Sequence, residues 1–118
     1  MKAKLSSWLP LILWMTIIFL FSNTPDLPSN KIYFLDFVFK KSAHMIEFGI
    51  LTFLFYRAQG FKKLETSILL SWSYAFTDEI HQLFVPGRGG RLSDVFIDLL
   101  GIIIATKLIK KLKRWNIE

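Results

Sequence analysis

Residues 77–98 read TDEIHQLFVPGRGGRLSDVFID, and the interpretation of the whole chain starts from this stretch. It brings acids, a histidine, an amide and two arginines within a few residues of one another, and apolar segments lie on both sides. Ionisable groups inside a membrane are costly and are usually functional. If the flanking segments cross a bilayer, this stretch therefore predicts a polar site within the membrane.

The composition favours an integral membrane protein. Of the 118 residues 53% are apolar, including 12 Phe and 4 Trp, and a soluble domain of this size has too little interior to bury them. Four apolar stretches recur, each about long enough to cross much of a bilayer. We predict an all-α, four-helix transmembrane bundle that forms a single domain over residues 1–118, with helices at about 5–22, 42–57, 66–84 and 93–110.

The positions of the positive charges predict the orientation of these helices. The net charge is +6, but Lys and Arg lie at the ends of apolar segments, which fits membrane topology better than nucleic-acid binding. Ten of them fall in the N-terminus, second loop and C-terminus, and five in the first and third loops. The positive-inside rule then predicts that both termini are cytoplasmic.

The first apolar segment, residues 5–21, could be read as a secretory signal peptide because Lys2 and Lys4 precede it. No small-x-small cleavage site follows, so we predict an uncleaved first helix. The chain has no cysteine, which excludes disulfides and thiol chemistry.

Helical periodicity places the polar groups on shared faces. Lys41, His44 and Glu47 fall within an arc of about 120° on the second helix, after an amphipathic surface piece at residues 31–41. A carboxylate at the depth of Glu47 needs a cation or a proton. The third helix carries one polar stripe that should face the bundle interior, made of Ser67, Ser71, Tyr74, Asp78 and Gln82, with Glu79 beside it.

The fourth helix combines acids with small residues on one face. Ser93 is a predicted N-cap, and Asp94 suits the positive end of the helix dipole. Asp98, Gly101 and Ala105 continue the face of Asp94. Small residues let membrane helices approach closely, so the hypothesis of a homodimer uses Gly101 and Ala105.

Two blocks of residues resemble the VanZ-like family of small membrane proteins. They are Asp36, Lys41, His44 and Glu47, followed by Asp78-Glu79-x-x-Gln82, Pro86-Gly87-Arg88 and Ser93-Asp94. The resemblance reaches from about Asp36 to Gly101, and it implies a helical membrane protein of the bacterial cytoplasmic membrane and cell envelope. The founding member is linked to low-level resistance to the glycopeptide teicoplanin. The family pattern often has Asn where this chain has Asp98, and the resemblance supplies no reaction.

The polar residues leave several chemistries open. Arg88 and Arg91, in a glycine-rich turn before a helix, could bind a phosphate, or could pair with nearby acids or lipid headgroups. A divalent metal on the histidines and acids is disfavoured because His-x-x-Glu occurs only once. A histidine with an acid could perform acid–base chemistry, whereas the alternative is a polar network that only fixes helix register.

Two functional hypotheses follow. In the first, a VanZ-like envelope protein binds a membrane lipid or a lipid-linked, phosphate-bearing envelope precursor in an outward-facing polar pocket. In the second, a small intramembrane enzyme acts on a phospholipid or polyprenyl phosphate. The residues do not decide whether the protein is catalytic, and they identify no cofactor. The candidate catalytic residues are His44, Glu47, Asp78 and Glu79. The candidate ligand-binding residues are Lys41, Gln82, Arg88, Arg91, Ser93 and Asp94.

Overall fold

The computed structural model describes residues 2–22, 33–84 and 93–117, and every regular element in these ranges is a helix. The helices are α1 (Lys2–Ser22), α2 (Tyr33–Ala58), α3 (Leu64–Leu83) and α4 (Ser93–Ile117). No strand occurs in the described ranges. The predicted all-α, four-helix architecture is therefore confirmed.

α2 and α4 are longer than predicted. α2 begins at Tyr33 instead of near residue 42, so residues 33–41 are the first part of α2 and not a separate surface piece. α4 continues to Ile117, beyond the predicted end near residue 110. The predicted end of α4 followed the apolar run, but the Lys and Leu residues that continue the chain are good helix formers whether or not the run is apolar.

α2 is the central helix of the bundle. It packs against all three other helices, and its contact with α4 is the most extensive. The apolar core between the helices draws residues from each of them, including Leu11 and Ile18 of α1, Phe48 and Leu51 of α2, Ala75 of α3, and Val95 and Ile102 of α4.

Two side-chain hydrogen bonds attach α1 to this core. The Trp14 indole Nε1 donates to the backbone oxygen of Glu47 at 2.9 Å, and the Tyr74 hydroxyl donates to the backbone oxygen of Met15 at 2.6 Å. Both acceptors are backbone carbonyls within helices. Through these bonds α1 is held against α2 and α3.

The turn between α2 and α3 explains why α2 ends where it does. Gly60 has φ 76°, a left-handed conformation that glycine adopts without strain. The Gly60 N–H donates to the Arg57 carbonyl and the Phe61 N–H to the Tyr56 carbonyl, which is the Schellman pattern. The Phe61 ring packs edge-on against Tyr56 with centroids 5.6 Å apart, and this contact completes the cap.

α2 and α4 approach most closely at Gly101. A Cβ atom placed on Gly101 would lie 2.1 Å from the Met45 carbonyl oxygen, so no larger residue fits without moving backbone. A Cβ on Gly49 would lie 3.2 Å from the Gly101 oxygen and 3.6 Å from the Ala105 Cβ. Gly101 is therefore covered by α2 of its own chain. The homodimer through Gly101 and Ala105 stays a prediction.

Polarity is distributed differently from that in a typical soluble domain, although an apolar core is buried between the helices. Charged and polar side chains of α3 and α4, such as Glu79 and Asp98, are buried, whereas large apolar side chains such as Ile12, Leu69 and Phe96 are exposed. Within residues 2–22, 33–84 and 93–117, no helix combines the length and apolar character that crossing a membrane requires.

We predict that Gly101→Ala destabilises the fold because its new methyl group collides with the Met45 backbone. Overpacking of this kind costs about 1–3 kcal/mol or more. Gly49→Ala is the graded control, since its methyl group meets neighbours that need to shift only by a few tenths of an ångström. Thermal unfolding of the purified proteins should show the larger loss for Gly101→Ala. Equal stability of Gly101→Ala and the parent would contradict the close α2–α4 approach.

Candidate functional site

Two polar pairs join α2 to α4. The Lys41 Nζ forms an ion pair and hydrogen bond with Asp94 Oδ1. The His44 Nδ1 lies 3.2 Å from Asp98 Oδ1. Residues three or four positions apart are neighbours on a helix surface, so the two pairs lie one turn apart along the same contact. The faces predicted for both helices thus meet each other.

The acids of these pairs are withdrawn from solvent. Asp98 is fully buried and Asp94 is 5% exposed, whereas the Lys41 side chain keeps 22% of its surface exposed. Burying a carboxylate is costly unless a partner compensates it, and removing the partner of a buried pair is strongly destabilising. Lys41 and His44 therefore compensate the acids, and Lys41 remains accessible from outside the bundle.

The contact with Asp98 also defines the role of each His44 nitrogen. In the neutral ring, a carboxylate at Nδ1 favours the tautomer in which Nδ1 carries the proton. The Nε2 lone pair is then the acceptor of the ring. An acid that orients a histidine in this way is a recurring arrangement for a general base.

The end of α3 contributes a third group of buried polar side chains. Asp78, Glu79 and Gln82 are all buried, and Gln82 Nε2 donates to Asp78 Oδ2 at 3.2 Å. α3 packs against both α2 and α4, and Asp78 lies close enough to Asp98 for the two carboxylates to interact electrostatically. The predicted stripe on the third helix does face the interior, as Ser67 and Ser71 are also fully buried.

Glu47 lies one turn further along α2 from His44 and is partly buried. Its charge and that of Asp94 both act on His44. The first block of sequence residues and the acids of α3 and α4 therefore converge on one end of the bundle. We name this group the polar cluster: Lys41, His44, Glu47, Asp78, Glu79, Gln82, Asp94 and Asp98.

Some predicted site residues lie outside this description. Arg88 and Arg91, with the glycine-rich turn around them, lie outside the described residues, and so do the side chains of Ser93 and Asp36. Ser93 is the first residue of α4. The roles predicted for the two arginines and for Ser93 stay predictions.

His81, in the last turn of α3, packs against α1. Its ring is stacked on Phe19 with centroids 4.6 Å apart. Its Nε2 is buried and has no hydrogen-bond partner among the described residues. Across the same residues, no group of three or more acids and histidines is arranged to hold a metal ion.

Asp98 is the site residue that sequence reasoning missed. The periodicity of the fourth helix placed it on the face of Asp94, but it was not assigned to the site. In the structure it is fully buried and pairs with His44, and its Oδ2 has no hydrogen-bond partner among the described residues. The sequence did contain a signal, because Asp94 and Asp98 are spaced to lie on one face of the fourth helix. Lys41 and His44 are likewise spaced to lie on one face of the second helix.

The described residues form a small four-helix protein in which α3 and α4 bury acidic side chains beside an apolar core. The sequence model of the VanZ/LLP1 family matches residues 7–114, which is nearly the whole chain. The chain belongs to the VanZ/LLP1 family. Comparison with curated proteins and with solved structures gave no match.

We predict energetic coupling between Lys41 and Asp94. Lys41→Met and Asp94→Asn should each destabilise the protein, and the double variant should lose less than the sum of the two. Groups in direct contact typically show an interaction energy of about 0.5–3 kcal/mol. The measurement is unfolding of the four proteins followed by circular dichroism.

The matched control combines Lys41→Met with Lys110→Met, an exposed lysine near the other end of α4. The effects of these two changes should add. Additive effects for Lys41 and Asp94 as well would show that the ion pair does not join α2 to α4.

Proposed function

We propose that this VanZ/LLP1-family protein is an integral membrane protein of the bacterial cell envelope. The buried acids and the exposed apolar side chains support this environment, because lipid can cover apolar side chains but cannot satisfy acids such as Asp98. Large apolar side chains are exposed on all four helices, and soluble monomers rarely expose extended apolar patches. Family membership supports the same reading.

The proposed orientation puts both termini in the cytoplasm. It agrees with the excess of Lys and Arg in the second loop and at the two termini. The polar cluster comes from the first half of α2, the end of α3 and the start of α4. In a four-span topology these segments share one side of the membrane, which is then the outer side.

The polar cluster binds a lipid-linked or phosphate-bearing envelope molecule in this proposal. The observation that carries it is Lys41, a cation that Asp94 holds in place and that stays partly exposed at the edge of buried acids. A positioned lysine is a suitable point charge for a phosphate. Arg88 and Arg91 would add guanidinium groups from the neighbouring loop, and the acids would accept hydrogen bonds from hydroxyl or amide groups of the same head group.

The link to teicoplanin is part of this proposal and rests on the family. The founding VanZ protein is connected with low-level resistance to that glycopeptide, and a site for an envelope molecule at the outer face is compatible with such a role. The geometry of the polar cluster itself does not distinguish a resistance protein from another envelope protein.

The second candidate function is an intramembrane enzyme that acts on a phospholipid or polyprenyl phosphate. The specific observation in its favour is the contact between His44 Nδ1 and Asp98. It leaves His44 Nε2 to accept a proton from a water molecule or hydroxyl group that attacks a phosphate ester. Asp78 and Glu79 would then act as neighbouring acids.

One experiment tests the binding function and separates it from the enzyme. Purified protein is incubated with a radiolabelled polyprenyl phosphate, and both the bound lipid and any product are measured. Lys41→Gln should weaken binding about ten- to a hundredfold, since a hydrogen bond to a charged group contributes about 1.5–3 kcal/mol. Lys110→Gln, at the far end of α4, should bind like the parent.

The products decide between the two functions. An enzyme converts the lipid, and His44→Ala abolishes conversion while Asp78→Asn reduces it. Bound lipid without product from the parent protein would count against the enzyme. Equal binding by the parent and Lys41→Gln would contradict the proposed site.

The same pair of variants gives a cellular readout. In a teicoplanin-susceptible bacterium that expresses them, the parent and Lys110→Gln should raise the inhibitory concentration of teicoplanin, and Lys41→Gln should not. An unchanged inhibitory concentration with every protein would separate this chain from the resistance role.

A further inference from the structure

An apolar groove runs along the outside of the contact between α2 and α4. Its volume is about 450 Å³, and its lining is almost entirely apolar. Gly49, Gly101 and Ala105 form its floor, while Ile46, Ile50 and Ile104 are among the larger side chains around it. The groove exists because the small residues of the floor leave a furrow between rows of larger apolar side chains.

The groove continues the line of the polar pairs. α2 and α4 run parallel, since Lys41 meets Asp94, His44 meets Asp98, and the next contact joins Met45 to Gly101. The Met45–Gly101 contact lies at the near end of the groove, and Leu112 lies at its far end. From Gly101 to Leu112 the helix rises about 16 Å at 1.5 Å per residue.

The Lys41–Asp94 ion pair, in which the Lys41 side chain keeps 22% of its surface exposed, and a long apolar furrow therefore lie end to end on one helix pair. The volume falls within the range of about 300–1,000 Å³ that is common for small-molecule sites. An amphiphile fits such a site, because its hydrocarbon chain can lie in the apolar furrow and its head group at the charged end.

We propose that this groove holds the hydrocarbon chain of a lipid phosphate whose head group lies at Lys41. The inference rests on the proposed function and specifies its ligand class: a long-chain lipid with an anionic phosphate head group. The first part of the chain lies over Gly101 and Gly49, between Ile46 and Ile104. The polar cluster binds the head group and the groove selects for the chain.

The test uses a long-chain polyprenyl phosphate that carries a photoactivatable diazirine on its chain. After irradiation of the purified protein, crosslinked peptides should map to the groove segments of α2 and α4. Ile104→Trp fills the groove and should lower crosslinking at least about tenfold, a change equivalent to 1.4 kcal/mol. Ile103→Trp is the matched control, because Ile103 is similarly exposed on the same helix but does not line the groove.

A second groove variant keeps the test decisive if Ile104→Trp misfolds. Leu108 also lines the groove and is 56% exposed, so Leu108→Trp can be accommodated without disturbing the core. Circular dichroism of each variant verifies that the helices are retained. Ile104→Trp and Leu108→Trp should both block crosslinking, and Ile103→Trp should not.

Two further probes identify which part of the ligand is recognised. A polyprenol without phosphate should crosslink less than the phosphate, and Lys41→Gln should remove that difference. Inorganic phosphate should compete only weakly, because it has no chain for the groove.

The outcomes separate the failure of this inference from that of the proposed function. Binding that depends on Lys41, with crosslinks outside the groove or unaffected by Ile104→Trp, overturns the groove and leaves the head-group site standing. Crosslinks in the groove that depend neither on the phosphate nor on Lys41 overturn the proposed function together with the inferred ligand. Crosslinks between two protein chains at the groove, with no lipid attached, make a second copy its occupant and overturn the inference.

Discussion

The structure depends on burying carboxylates between two parallel helices without leaving them uncompensated. Asp98 is fully withdrawn from solvent, and its neighbour Asp94 is nearly so. Their compensation comes from His44 and Lys41 on the facing helix, which must therefore lie at a fixed register and distance. Gly101 makes this distance attainable, because any side chain there would separate α4 from the Met45 backbone. The small residue and the polar pairs are thus two parts of one contact.

This contact also explains how one helix pair could provide both halves of an amphiphile site. Because α2 and α4 approach closely, the small residues Gly49, Gly101 and Ala105 lie in line with the polar pairs. Their small size leaves the apolar groove open. The requirement for charge compensation positions Lys41 at the end of that line. The proposed lipid phosphate uses both features, because its chain lies in the groove and its head group at Lys41.

The number of helices and the faces of α2, α3 and α4 could be predicted from periodicity, because each face repeats every three or four residues. The partners across those faces could not. Pairing His44 with Asp98 requires the register between helices that are more than fifty residues apart, and no local pattern contains it. For the same reason the contact of Gly101 with Met45 of its own chain could not be predicted, and the homodimer through Gly101 and Ala105 stays a prediction. The start of α2 at Tyr33 could not be predicted from local propensity, because residues 33–39 are mostly aromatic, Val and Asp residues of modest helix propensity.

The parallel register of α2 and α4 can be measured directly by crosslinking. A Cβ atom on Gly49 lies 3.6 Å from the Cβ of Ala105, within the range of about 3.5–4.5 Å found in disulfides. The chain has no cysteine of its own, so a double variant with Gly49→Cys and Ala105→Cys carries a single pair. Mild oxidation should close an intramolecular disulfide in this variant but not in the control with Gly49→Cys and Ile103→Cys. Equal bridging in both variants, or no bridge within one chain in either, would contradict the register on which the site and the groove depend.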